Sequence, residues 1–320
     1  MTWLVLPIDW LQFWELTVSG ITLGSVYALI ALGYSMVYGI LKLLNFAHGD
    51  VYMIGAFLGW FVLHGLGGPL GPTVSGWFVV TMMFLGAMAG CGVLGVAIER
   101  FAYRPLRNAP RIAPLISALG VSIFLQNSAL LLFGPQFRDY ATFNLLGGPE
   151  GLLRTFKVGN VYFSVTQLLS VLAAIGLMVA LTVFVARTAT GKAMRATSFD
   201  REAASMMGIN VDRVISTTFF IGSALAGAAG IMFGLLFGQI FQLMGFIAGL
   251  KGFTAAVVGG IGSIPGAMIG GLVIGLAESY ATGYLPQGST FQNLYVFVLL
   301  ILVILIRPSG ILGTADIKKV

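Results

Sequence analysis

Long apolar runs separated by short polar breaks fill most of the chain. A hydrocarbon core about 30 Å thick needs about 20 apolar residues in a helix. Runs of that kind predict spans near residues 16–41, 51–66, 73–97, 113–133, 164–186 and 214–240. From Gly245 to Tyr284 the pattern is glycine-rich and is interrupted at Gly262-Ser263-Ile264-Pro265-Gly266. It therefore predicts two short spans or a re-entrant pair, followed by a last span near 292–306. The expected fold is an all-α polytopic membrane protein with 8–9 transmembrane helices, forming a single domain over residues 1–320.

Composition points the same way. The chain is 58% hydrophobic and 9% charged, with a mean hydropathy of +0.97, whereas soluble domains carry roughly 25% charge. A soluble globular protein is excluded. The first 15 residues contain no Lys or Arg but do contain Asp9 and Glu15, so the start reads as mature protein rather than a secretory signal. The one cysteine, Cys91, lies among glycines in an apolar run, which excludes an intramolecular disulfide and reads as core packing. A net charge of +6 has no soluble surface on which to form a nucleic-acid patch, so membrane lipid is the expected surrounding and no nucleic acid is a partner.

The charge instead sets orientation, because Lys and Arg are retained on the cytoplasmic side. Arg100, Arg104, Arg107 and Arg111 share one loop, and Arg187, Lys192, Arg195, Arg201 and Arg213 share another. Arg307, Lys318 and Lys319 lie near the C-terminus, and together the three groups hold most of the chain's 17 basic residues. Two spans separate the first two groups, so their parities agree, and nine crossings return the C-terminus to the cytoplasm. Glycines four apart, as in Gly20 and Gly24, Gly86 and Gly90, Gly230, Gly234 and Gly238, Gly266 and Gly270, and Gly271 and Gly275, predict close helix packing. That packing is either within the chain or at a seam with a second subunit. A long apolar helix precedes Asn45-Phe46-Ala47-His48-Gly49 and another precedes Gly245-Phe246-Ile247-Ala248-Gly249. The expected topology runs the two in opposite senses, as in an inverted repeat; chance likeness of glycine-rich segments is the rival reading.

The most specific polar motif is Asp200-Arg201-Glu202-Ala203-Ala204-Ser205-Met206-Met207-Gly208-Ile209-Asn210 in the loop at 187–213. It predicts a short exposed cytoplasmic helix closed by Gly208 and Asn210. Its Glu-Ala-Ala, three residues, Gly spacing resembles the EAA loop of ABC importer permeases, in which a coupling helix docks on an ATP-hydrolysing subunit; Arg201, Glu202, Ala203, Ala204 and Gly208 are the residues that resemblance marks. The second half of that pattern is absent, with Thr218, Phe219, Phe220 and Ile221 in its place. Gly191-Lys192 is followed by Ala193 and lacks an upstream glycine at Ala186, so it is not a phosphate-binding loop.

A second motif, Leu43-Leu44-Asn45-Phe46-Ala47-His48-Gly49-Asp50, places an amide, an imidazole and a carboxylate between two spans. Polar groups at membrane depth are costly and point to function, here a pathway through Asn45, His48 and Asp50 or a proton relay between His48 and Asp50. The alternative is a helix break whose polar groups are satisfied structurally. Glu278, Lys251, Gln126, Asn127, Gln239 and Gln242 each read, one by one, as interfacial or satisfied polar residues. His48 and His64 are the only histidines, so neither a zinc cluster nor a catalytic constellation is expected.

Seven ordered blocks then resemble the LivH-type permeases of branched-chain amino-acid ABC transporters. They are the residues from Leu23 to Tyr34, Asn45 to Gly55, Glu99 to Pro105, Leu115 to Gly120, Ser122 to Asn127, Gly208 to Ile215 and Phe253 to Ala267. Asp50 stands where many relatives would have Glu, and residues Gly134 to Asn160 match poorly. The resemblance implies a multi-pass protein of the bacterial inner membrane that is not an enzyme and carries no cofactor. ATP and Mg would sit on two cytoplasmic ATP-binding subunits, beside a second homologous permease and a periplasmic substrate-binding protein. It implies import of branched-chain or related hydrophobic amino acids by alternating access. Urea, amides or aromatic acids are alternatives within the class; a proton-coupled carrier using His48 and Asp50, or a passive channel, is an alternative outside it.

Overall fold

The computed structural model describes residues 9–70, 75–107, 109–110, 112–140, 154–159 and 161–313. Of the sequence expectations, Arg111, Lys318, Lys319 and most of the poorly matching 134–160 region lie outside them. Helices α1 (Trp10–Leu41), α2 (His48–Leu70), α3 (Gly76–Ile98), α4 (Ile112–Phe133) and α5 (Val165–Arg187) come first. Two short helices follow, α6 (Ala189–Phe199) and α7 (Arg201–Met206), and then α8 (Val211–Phe237), α9 (Met244–Gly259), α10 (Ile264–Tyr284) and α11 (Gln292–Ile306). Among the described residues seven helices are long and apolar enough to cross a membrane, and α9 and α11 are shorter apolar helices. Four short strands complete the fold: β1 (Arg138–Asp139), β2 (Thr155–Val158), β3 (Val161–Ser164) and β4 (Gln239–Ile240). β2 and β3 form an antiparallel hairpin, and β1 clips antiparallel to β4 with Arg138 opposite Ile240.

Contacts set the helix directions. Gly20 meets Leu276 and Gly24 meets Leu272, so α1 and α10 are antiparallel; Gly95 meets Ser223 while Gly227 meets Ala87, so α3 and α8 are antiparallel too. Arg201 donates from Nε to the Ile40 carbonyl at 3.0 Å, which brings the end of α1 beside the start of α8. Among the described residues these pairings fit a course whose direction alternates from one apolar helix to the next. Exposed Trp10, Trp14 and Trp77 gather at the end where α1 and α3 begin, and Arg104, Arg107, Arg195, Arg201 and Arg213 gather at the other. Tryptophan at an interface and arginine on the cytoplasmic side are the expected segregation.

The packing also contains a repeat. α1 lies along α10 as α8 lies along α3; α2 packs on α3 and α8 as α9 packs on α10 and α1. Exchanging the trio α1–α2–α3 for α8–α9–α10 reproduces every one of these contacts, and α1 runs against α8. This is an inverted repeat. The second helix of each trio begins inside the bundle: the His48 ring sits edge-on to Tyr34 at 4.8 Å, about 10 Å in from the end of α1, and Gly245 and Gly249 of α9 press on Gly49. The 16 residues of α9 reach only about 24 Å, so a start at depth is what lets α9 arrive at the far face.

The interruption at 260–263 resolves into one short and one full-length helix rather than two short ones. Gly260 and Gly262 take φ of +107° and +93°, a region costly to residues with a Cβ. The Ser263 hydroxyl then accepts the Gly266 N–H at 3.1 Å and caps α10. Most of the glycines spaced by four serve packing within the chain, as Gly86 faces Val62, Gly90 faces Leu58 and Gly230 faces Tyr52; Gly238 does not, since it has nothing within 4 Å and ends α8 at φ +71°. α1 and α8 are the most buried spans and α4 and α5 the most exposed, with Leu131, Leu132, Leu305 and Ile306 turned outward as lipid-facing residues are.

Candidate functional site

The polar end of the bundle is organised around α7. Asp200 caps it, its Oδ1 accepting the N–H groups of Glu202 at 3.0 Å and Ala203 at 3.1 Å. The helix stops in a Schellman turn, with Ile209 N–H donating to Ala204 O at 3.1 Å, Gly208 N–H to Ser205 O at 3.0 Å, and Gly208 at φ +81°. Asn210 departs from expectation. Its side chain accepts the Arg213 N–H at 3.0 Å and caps α8 instead of closing α7, because an Asx side chain serves the free N–H groups at a helix start better than the carbonyls at a helix end. Ala204 is buried, while Glu202, Ala203, Ser205 and Gly208 are exposed, as are Met206 and Met207 at 85% and 83%. Arg201 anchors this element by donating Nε and a terminal nitrogen to Ile40 O, one of the carbonyls left unpaired at the end of α1. Burial first, and repulsion from Arg107 second, lower the Arg201 pKa.

Behind α7 lies an ion network that the sequence reading did not pair. A π-helical turn, Glu99–Tyr103, ends α3 and turns Glu99 inward, 1% exposed, to Arg107. Arg107 also binds Asp212, which Arg104 binds as well, and Ser216 donates to Glu99 at 2.8 Å. The network ties the α3–α4 connection to the first turns of α8, directly after α7. Removing one partner of a buried pair costs about 3–5 kcal/mol. Arg107→Ala is therefore expected to lower the yield and thermal stability of the purified chain sharply, whereas Arg104→Ala, at an exposed pair, is expected to change stability by less than about 1 kcal/mol.

Asn45, His48 and Asp50 are not brought together. Asn45 lies in the break and accepts the Tyr103 hydroxyl at 2.9 Å. His48 and Asp50 stand in the first turn of α2 rather than between spans. The Asp50 carboxylate accepts Ser122 Oγ at 2.5 Å and Gln126 Nε2 at 3.1 Å, both from α4. The His48 ring packs on α1 over Gly33 and Tyr34, with Nε2 unpartnered. Each of the three side chains meets a different neighbouring element. His48→Gln is accordingly expected to retain substantial uptake; complete loss with normal assembly would assign the imidazole direct chemistry.

Two of the scattered polar residues do meet. Lys251 of α9 donates to Glu278 Oε1 of α10 at 2.6 Å, with both side chains about 5% exposed or less, and Tyr27 of α1 donates to Glu278 Oε2 at 3.0 Å. Nothing in the sequence links positions 27 residues apart on separate helices, except that each is a lone charge in an apolar stretch. Two cavities complete the picture. One of about 740 Å³ lies at the α7 end among Tyr38, Lys42, Arg195, Ser263 and Leu312; one of about 500 Å³ lies toward the other end and reaches Lys251 and Glu278. Neither is lined by Asn45, His48 or Asp50. Among the described residues no cluster of His, Cys, Asp or Glu could hold a metal.

An alternating bundle with an inverted repeat, two cavities and a capped surface helix is the build of a transporter subunit, and the sequence comparisons name its kind. The family described as the permease component of branched-chain amino acid transport systems matches residues 16–306, from the first turns of α1 to the end of α11. The chain belongs to that family. The high-affinity branched-chain amino acid transport system permease protein LivH of Escherichia coli K12 is 46% identical over 98% of this chain and 99% of its own length. The corresponding permease BraD of Pseudomonas aeruginosa is 43% identical over 95% of this chain and 96% of its own. A further E. coli K12 permease of the same description, LivM, is 26% identical over 97% of this chain and 73% of its own. Members of this family are transport permeases rather than enzymes.

Proposed function

We propose that this permease supplies half of the pathway of an ATP-driven importer for branched-chain or related hydrophobic amino acids. Near-complete coverage at 46% identity to a branched-chain amino acid permease carries the reading of the substrate class. The second half of the pathway is a homologous permease, in keeping with the existence of LivM beside LivH in one organism. Two cytoplasmic subunits bind ATP and Mg, and a periplasmic binding protein delivers the amino acid. The α7 helix, with Arg201, Glu202, Ala203, Ala204 and Gly208, docks on an ATP-binding subunit, and the contact of Arg201 with α1 passes the movement inward. ATP drives the cycle through its different affinities for the two states. The C-terminal segment after α11 lies at the α7 end, where Ile311 N–H donates to Val258 O at 2.9 Å, which supports a cytoplasmic C-terminus.

Reconstitution with these partners tests the reading. L-Leucine uptake is expected to need ATP and the binding protein and to survive collapse of the proton gradient. Uptake that follows the proton gradient and ignores ATP would overturn it.

A further inference from the structure

The Lys251–Glu278 pair lies halfway along the bundle, beside Tyr27 near the middle of α1, and forms part of the wall of the 500 Å³ cavity. A buried ion pair of this kind is weak support for stability, since well-packed apolar residues serve as well or better. An ionisable residue at membrane depth points to a ligand or a pathway. The pair is also not saturated. An ammonium has three donors and a carboxylate about four acceptor positions, whereas among the described residues one Lys251 donor and two Glu278 positions are engaged by protein side chains. Asn293, on the same cavity wall, has a buried Oδ1 with no partner among the described residues. The remaining wall is mixed: an apolar side with Leu23, Phe233, Leu236, Phe241 and Ile247 faces hydroxyl and amide groups such as Ser279, Thr282 and Gln292.

We propose that this cavity is a transit site for a hydrophobic α-amino acid, in which Lys251 receives the ligand carboxylate, Glu278 with Asn293 receives its ammonium, and Phe233, Leu236 and Ile247 receive its side chain. The inference rests on the transport reading and sharpens it, giving this chain a selectivity of its own. A zwitterion is the ligand chemistry that a fixed pair of opposite charges matches with no net charge buried. The volume lies within the roughly 300–1,000 Å³ of small-molecule pockets and leaves room for a leucine. Binding here must be weak, since a transit site has to release as readily as it fills.

Two variants test it in the assembled importer: the charge swap Lys251→Glu with Glu278→Lys, which keeps a pair but reverses it, and Ile247→Trp, which fills the cavity from a half-exposed position without touching the pair. Without the binding protein, millimolar L-leucine is expected to raise the melting temperature of the wild-type permease complex. 4-Methylpentanoate, lacking the ammonium, and isoamylamine, lacking the carboxylate, are expected not to. Both variants are expected to lose the leucine shift and about tenfold or more of ATP-driven leucine uptake. An assembled variant that keeps the wild-type shift and uptake overturns the site while leaving the transport reading intact; should the swap fail to assemble, Ile247→Trp decides. A wild-type complex with no ATP-driven leucine uptake overturns both.

Discussion

Replacing Gly208 with valine is expected to abolish ATP-driven uptake while leaving the permease inserted and paired. Gly208 holds φ +81°, and a Cβ placed there meets nothing within 4 Å, so the obstacle is the backbone alone. A β-branched residue in that region is strained by about 1–3 kcal/mol, and α7 has only six residues with which to resist unwinding. The Schellman bonds from Gly208 and Ile209 then go, and with them the surface that carries Glu202, Met206 and Met207. Glu202→Lys is expected to give the same phenotype by another route. Its carboxylate at the helix start is worth about 0.3–1 kcal/mol, too little to unfold the bundle, so lost uptake reports lost docking. Uptake, ATPase activity and subunit co-purification are the measurements; unchanged ATP-dependent uptake in both variants would sink the docking role.

The second large effect is expected at the seam between α1 and α10, where Gly275→Leu should leave almost no folded chain. A Cβ on Gly275 would overlap the backbone of Gly24, and one on Gly24 would come within 2.9 Å of Leu272 Cα. Backbone cannot step aside as a flexible side chain can. Overpacking a core with extra methylenes already costs about 1–3 kcal/mol, and leucine here would also part the two helices along the rest of their contact. Those helices hold Tyr27 and Glu278, so separation breaks that hydrogen bond as well. Detergent-extracted yield and monodispersity check the expectation, with Gly176→Leu as the control, since Gly176 has open space around it. Equal yields would mean that the seam tolerates separation.

Much of this was legible in residue order. Every apolar run became a helix close to its expected limits, because a lipid-facing or buried segment must satisfy its backbone internally and only a helix does so within one run. The four-spaced glycines other than Gly238, the short helix closed by Gly208 and the opposite sense of α1 and α8 were legible for similar reasons, as all depend on neighbours in sequence or on the distribution of positive charge. Other features were not legible there. His48 and Asp50 are two residues apart in sequence, yet successive positions in a helical turn point to different neighbours, and so His48 meets α1 while Asp50 meets α4.

The sequence by itself determined a polytopic helical bundle, its alternating course, and its resemblance to the branched-chain amino acid permeases. These follow from local hydropathy, turn chemistry and long ordered blocks of residues. Only the tertiary structure decided that α2 and α9 begin within the bundle, that Arg107 joins Glu99 to Asp212, and that Lys251 and Glu278 meet beside a cavity. Side-chain pairs across helices depend on rotation and depth, and a uniformly apolar pattern leaves both undetermined until the glycine seams bring the helices together.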